Sequence, residues 1–455
     1  MKSQYPLELR GGVWGSVAVL LTALAFLALA SVNKSKIDGY VVAFLVPLIV
    51  AVFLARDWDA YGKAVVGGLS KPMFSIIALA VLLAAVASRL VSESGLIQAV
   101  SSAAVTAGLG GGHFVVITFL LSCLVSFSTG TSVGTYFVVI PILFPAGLAI
   151  GADPAFLIGS IAAGGAFGDN LAPISDTTIA SATTQEMDIG GVVKSRMKYS
   201  IPVAIAALMM YLVASPSGQA VAPPEAPSVS PMALVMLIVP VAIITLCLMG
   251  EHLVSALAVG STLGAVVGLL TGLFTPAQLL NFPGQFQIGG MLPASIEAAL
   301  PTIAFLLVVF PFLGIMEASG ALAKLGAGLG RWAKGPRSVE VVTVLATGIL
   351  SMVTGVISVA ILSVGDVVKN LGLKFNIDGY RRANLMDCSG VSFCFLVPWT
   401  VHAIVPTMLA AASFPRHLVS PMDVPLHNFY SWMMLAMLVF AVATGYGRRP
   451  GKGVC

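Results

Sequence analysis

Apolar stretches recur along this chain at about 13 to 31, 39 to 55, 73 to 91, 114 to 149, 155 to 185, 200 to 214, 232 to 249, 253 to 273, 299 to 316, 338 to 371, 383 to 413 and 427 to 446. No other feature constrains the fold as tightly. A bilayer core about 30 Å thick takes roughly 20 apolar residues per helical span. Inside hydrocarbon only helices and closed barrels satisfy every backbone polar group, and stretches of this length fit helices. The chain is therefore predicted to be an all-α, multi-pass integral membrane protein. Composition agrees, because 58% hydrophobic and 9% charged residues with a mean hydropathy of +1.00 lie far from the roughly 25% charged residues of a soluble domain.

The small charge balance decides what the chain meets. A net charge of +4 with no Lys/Arg run interleaved with aromatics points away from nucleic acid. The expected partners are the lipid bilayer and a small ion or organic solute, and a homodimer is compatible with this organisation. Cys123, Cys247, Cys388, Cys394 and Cys455 show no paired ligand spacing, so neither a disulfide nor a metal cluster is predicted. The first apolar stretch follows Lys2 and Arg10 and closes on Ala28-Leu29-Ala30, in the manner of a cleaved signal. Its 18 or more apolar residues favour a retained helix instead.

A linker-like segment from Ser215 to Pro231, rich in Pro, Ser and Ala, prompts a search for repeats. An offset of 225 residues aligns three patterns. Ser94-Gly95 meets Ser319-Gly320, Ser126-x-x-Thr129-Gly130 meets Ser351-x-x-Thr354-Gly355, and Leu171-x-Pro173-x-Ser175 meets Leu396-x-Pro398-x-Thr400. Loops rich in Lys and Arg stay cytoplasmic, and here corresponding loops disagree. Residues 96 to 112 and 144 to 157 hold no basic residue. Their counterparts hold Lys324, Arg331, Lys334 and Arg337, then Lys369, Lys374, Arg381 and Arg382.

The repeats are thus expected to be inverted. The predicted fold has both termini inside, ten crossings, and two re-entrant hairpins near 114 to 149 and 338 to 371. Nineteen of 23 basic residues, Lys194, Arg196 and Lys198 among them, then fall on the cytoplasmic side. Lys34, Lys36, Arg89 and Arg416 fall outside it. The expected divisions are N-terminal helices (1–72), inverted repeat 1 (73–199), linker and connecting helices (200–297), inverted repeat 2 (298–413), and a C-terminal helix and tail (414–455).

Each hairpin has a polar, glycine-bearing tip, at Ser128 to Ser132 and Thr354 to Ser358, with arms of about 15 residues. The following crossings are interrupted near Pro173 and Pro398, where proline removes a backbone donor and disfavours helix before it. Broken backbone at membrane depth survives only where it is buried in protein or lines a cavity. These four breaks are candidates for one central site, with half-helix ends and the hydroxyls of Thr129, Thr131, Ser132, Ser175, Thr177 and Thr178 as ligands.

Ionisable groups inside a membrane cost at least about 2.5 kcal/mol on insertion scales and default to function. Asp169, Asp176 and Asp387 are the candidates, with Asp366 and His402 behind them. Such a carboxylate binds a cation when ionised, or a proton when desolvation opposes its charge. Asp169 and Asp176 are the expected ligands of a hard cation such as sodium, in competition with a proton, and no cofactor beyond the transported ions is expected. The bland reading of either is a helix cap. Glu93 and Glu317, near the membrane surface, read as interfacial.

Two segments, Phe127 to Thr135 (FSTGTSVGT) and Gly164 to Thr178 (GGAFGDNLAPISDTT), resemble signatures of the NhaC-type sodium/proton antiporter family, in the ion transporter superfamily. The resemblance implies an inverted-repeat carrier in a bacterial inner membrane, with sodium/proton exchange in many members and ion-coupled organic-acid exchange in some. It favours Thr129, Thr131, Ser132, Asp169, Asn170, Ser175, Asp176 and Thr177 as site-lining. The second half departs from the pattern at Asp387-Cys388-Ser389-Gly390, Phe395 and Pro398-Trp399-Thr400, where one carboxylate and one amide are missing. Thr354, Ser358, Asp387 and Thr400 complete the expected site. Sodium/proton antiport by alternating access is the leading expectation. A sodium- or proton-coupled carrier of a small organic acid or amino acid is the alternative. A channel suits the duplicated breaks less well, and no nucleophile–base pair or metal-ligand set suggests an enzyme.

Overall fold

In a computed structural model, the described residues are 6–448 apart from 34, 36, 97, 100, 101, 103–105, 107–109, 217–230, 286 and 414–418. Most of the expected linker, and Lys34, Lys36 and Arg416, lie outside them. The described residues are nearly all helical, with one small two-stranded ribbon at Asn281–Gly284 and Gln287–Gly289. Ten helices are long and apolar enough to cross a membrane. The number matches the expected crossings but the membership differs. It includes Gly111–Thr129, Ser132–Ala149 and Pro336–Thr354, which are arms of the two hairpins. Two further helices interrupt segments read as loops, Trp58–Leu69 and Ala321–Gly330.

The 225-residue offset extends to element boundaries and single hydrogen bonds. The first hairpin has arms Gly111–Thr129 and Ser132–Ala149, and the second Pro336–Thr354 and Ile357–Lys374. Arms of 19 and 18 residues in both exceed the expected 15, because the helix runs up to the glycine that stops it. That glycine, Gly130 or Gly355, has φ of 68° in both cases and donates to Ser126 O or Ser351 O at 2.9 Å. Left-handed backbone without a Cβ penalty is the ordinary way to end a helix. Ser126 Oγ donates to Gly165 O at 2.7 Å, and its counterpart Ser351 Oγ to Gly390 O at 3.4 Å. Asp153 caps Pro154–Leu171 and Asp378 caps Gly379–Phe395.

Each hairpin packs on a broken helix. The first is Pro154–Leu171 followed by Asp176–Thr184, the second Gly379–Phe395 followed by Val401–Ser413. Close approach needs small residues, and the two repeats supply them from opposite sides. In the first, a Cβ on Gly168 would lie 2.3 Å from Phe127 N. In the second, Phe393 takes the place of Gly168, and the hairpin arm recedes at Gly348, where a Cβ would lie 2.6 Å from the ring.

These contacts make the hairpins re-entrant and fix their opposite sense. Gly111, at the base of the first hairpin, sits against Gly151 at the start of the first broken helix, and Gly130 at its tip sits against Ile174 and Ser175 at the break. Beyond that tip the rod continues for the nine residues of Asp176–Thr184, about 13 Å of helix. Its far end meets the base of the second hairpin. Gln185 Nε2 donates to Gly365 O at 3.1 Å, Lys369 Nζ lies 2.6 Å from Glu186 Oε1, and the Tyr380 hydroxyl bonds Asp188. The two bases therefore lie at opposite ends of one rod, and the repeats are inverted.

Candidate functional site

The tips and breaks converge on one cavity of about 430 Å³, its open mouth included. From the first repeat come Thr131, Ser132, Val133, Asp169, Asp176 and Thr177, and from the second Gly355, Val356, Ile357, Ser358, Val401 and His402. Met73, Ile77 and Phe310 close it from the long helices Pro72–Glu93 and Met291–Ala318.

Asp169 is the buried acid of this cavity, 4% exposed. Its Oδ2 accepts from Ser132 Oγ at 2.8 Å and its Oδ1 from Ser175 Oγ at 2.7 Å. Ser175 stands at the N-cap position of Asp176–Thr184, yet its side chain makes no cap hydrogen bond and turns to the carboxylate instead. Thr177 Oγ1 reaches both Ser175 Oγ, at 3.0 Å, and Asp169 O, at 3.3 Å. His402 Nδ1 lies 3.2 Å from Ser132 Oγ, and its ring stacks on Phe395 with centroids 4.0 Å apart. Asp176 is exposed and shares the cavity with Ser358.

Asp387 is not in this cavity. It forms a fully buried ion pair with Arg196, Nη1 to Oδ2 at 2.7 Å. Asn170 Nδ2 donates to its other oxygen at 2.9 Å. Arg196 also donates to Asn170 O, Thr178 Oγ1, Ser181 Oγ and Asn384 Oδ1 at 2.6 to 3.2 Å. Asn170 Oδ1 accepts from Ser200 and Tyr430. This cluster ties both broken helices to Ile189–Ala214 and to Phe429–Thr444. Arg196, counted by sequence among the cytoplasmic-side charges, is thus an internal charge.

Several expected site residues point elsewhere. Thr129, Thr354 and Thr400 give their hydroxyls to backbone carbonyls, Thr354 Oγ1 to Leu350 O and Thr400 Oγ1 to Cys394 O, both at 2.8 Å. Asp366 is exposed on the second hairpin, and Glu317 pairs with Lys71 at 2.5 Å. Sequence reasoning missed the Arg196 cluster, because Lys194 and Lys198 flank the arginine near the start of its 26-residue helix and the three together read as a cytoplasmic-side basic group.

A profile of the Na+/H+ antiporter family matches residues 10–215 and 225–445. The chain belongs to the Na+/H+ antiporter family. Among its relatives, the Na+/H+ antiporter NhaC of Bacillus subtilis (strain 168) is 24% identical over 377 residues, covering 77% of this chain and 81% of that one. NhaC of Alkalihalophilus pseudofirmus is 23% identical over 414 residues, covering 85% and 87%. Among solved structures, the Alcanivorax borkumensis YdaH transporter aligns with 95% of this chain and 98% of its own, at 15% identity and a TM-score of 0.44. Family membership and ten helices long and apolar enough to cross a membrane make this antiporter a multi-pass membrane transport protein.

Proposed function

We propose that this antiporter exchanges sodium for protons by alternating access, with Asp169 and Asp176 carrying the coupled charge. One observation supports the reading above the others. Asp169 is buried, and among the described residues no cationic side chain pairs with it, whereas Asp387 is neutralised by Arg196. A buried carboxylate with no counter-charge holds either a proton or a cation. One site that takes either but not both couples the two fluxes. Oxygens of Asp169, Asp176, Ser132, Thr177 and Ser358 are of the hard type that sodium accepts.

Alternating access is supported by the seating of the site where inverted repeats meet, since rocking one repeat against the other exposes it to each side in turn. We place both termini in the cytoplasm of a bacterial inner membrane, from the distribution of Lys and Arg. An organic acid fits less well, because the cavity presents two carboxylates and, among the described residues, no Lys or Arg.

Purified protein in proteoliposomes with a trapped pH dye tests the reading. Sodium should drive proton movement in the wild type. Asp169→Asn and Asp176→Asn should each lower it by about tenfold or more, the loss of one charge-assisted ligand. Wild-type rates in both variants would remove the carboxylate mechanism.

A further inference from the structure

A second cavity, of about 440 Å³ with its open mouth included, lies on four helices that also line the first. Pro72–Glu93 gives it Ala85, Ser88 and Ser92, Ser132–Ala149 gives Pro141, Met291–Ala318 gives Ser295, and Val401–Ser413 gives Ser413. The nearest lining residues of the two cavities on Pro72–Glu93, Ile77 and Ala84, are about 10 Å apart along the helix. The first cavity lies toward the Lys71–Glu317 pair. The second lies toward residues 96 to 112, which hold no basic residue, and so toward the outer face.

Between the cavities each helix offers hydrocarbon. Val81, Phe137, Leu306 and Val405, one from each, are buried in the apolar core and line neither cavity. The second cavity itself is polar of another kind, with serine hydroxyls and Arg89 and no carboxylate on its wall. Ser92 Oγ is buried there without a hydrogen-bond partner among the described residues. A buried hydroxyl left unpaired is costly, so this one calls for water in the cavity. A guanidinium beside hydroxyls, with Glu93 3.4 Å from Arg89, holds a cation weakly, as a passage must. Ser88 Oγ donates to Ser413 Oγ at 3.1 Å, and that bond joins Pro72–Glu93 to the end of the second broken helix.

We propose that the second cavity is the outer half of the cation's route. In this structure it is shut off from Asp169 and Asp176 by the hydrocarbon of Val81, Phe137, Leu306 and Val405, and held so by the Ser88–Ser413 bond. Movement of Val401–Ser413 along Pro72–Glu93 breaks that bond and joins the two cavities. The inference rests on the alternating-access reading above.

Two measurements test it in a background with the five cysteines replaced, each variant serving as its own reference before treatment. Ala85→Cys should react with a small, impermeant, cationic thiol reagent from the face that carries Ala277, and the modification should abolish sodium-driven proton movement in proteoliposomes. The second variant combines Ser88→Cys with Ser413→Cys. Carbon–sulfur bonds are longer than carbon–oxygen bonds, which brings the two sulfurs within reach of a disulfide. Oxidation should form that disulfide and abolish proton movement, and a reductant should restore it.

An unreactive Ala85→Cys beside an intact sodium response overturns this proposal and leaves sodium exchange standing. Reaction at Ala85→Cys without any sodium response in the cysteine-free parent upholds the outer opening and overturns the sodium reading. Silence in both overturns both. Full activity with the disulfide formed shows that the two helices do not move apart here, and overturns the closure. A disulfide that fails to form shows that Ser88 and Ser413 do not meet, and overturns it as well.

Discussion

Two buried aspartates in this chain have opposite fates, and the difference lies in their neighbours. Asp387 faces a guanidinium at 2.7 Å and an amide at 2.9 Å. Asp169 faces two hydroxyls. A hydroxyl stabilises a carboxylate without neutralising it, and among the described residues Asp169 has no cationic partner. Arg196 and Asp387 hold each other in charge balance. Removing one partner of a buried pair costs about 3–5 kcal/mol, while replacing both with apolar groups costs much less. Arg196→Ala should therefore sharply reduce folded protein in detergent, and Arg196→Leu with Asp387→Leu should recover much of it, as read by thermal unfolding and monodisperse yield. Equal loss in the single and double variants would show that the hydrogen bonds of Arg196 to Asn170, Thr178 and Ser181, rather than the pair, hold the junction.

At the scale of elements, the hairpin tips decide how the breaks are held. Gly130 and Gly355 share a left-handed backbone that costs about 1–2 kcal/mol for a residue with a Cβ. Their surroundings differ. A Cβ at Gly130 would lie 2.6 Å from Ile174 Cγ1, and one at Gly355 meets nothing nearer than 3.6 Å, at Thr400. Gly130→Ala should consequently lower thermal stability more than Gly355→Ala, and it should also impair transport, because Ile174 and Ser175 are displaced along with Asp169. Equal effects of the two substitutions would mean that the first tip yields freely at Ile174.

Across the whole molecule, the inverted repeats place the two hairpin bases on opposite faces of the membrane. The base of the second is stitched by buried charge. Glu340 bonds both Arg381 and Arg448, at 3.1 and 2.8 Å, and Arg381 Nη1 donates to the Tyr199 hydroxyl at 2.7 Å. Arg381 and Arg448 on this face thus serve packing, beside the orienting role proposed for its basic residues. The orientation predicts a labelling pattern. In a background with the five cysteines replaced, Ala277→Cys should react with an impermeant maleimide in intact cells, and Trp332→Cys only after lysis. Both positions are exposed. The reverse pattern would turn the molecule over.

The amino-acid sequence alone determined the solvent, the duplication and its inversion, because hydropathy, proline placement and Lys/Arg asymmetry are local or periodic and need no knowledge of contacts. It also pointed to Asp169, Ser132, Ser175 and the two tips, since polar groups in apolar stretches are conspicuous. The tertiary structure alone decided which polar groups face one another. Arg196 and Asp387 are 191 residues apart in the chain, and nothing local in either says that one cancels the other. Nor does composition say that Thr129, Thr354 and Thr400 spend their hydroxyls on backbone carbonyls, or that Ser358 and His402 of the second repeat share a cavity with Asp169 and Asp176 of the first. Charge neutralisation and cavity lining are properties of pairs brought together by packing, and packing in this fold joins residues from both repeats at a single junction.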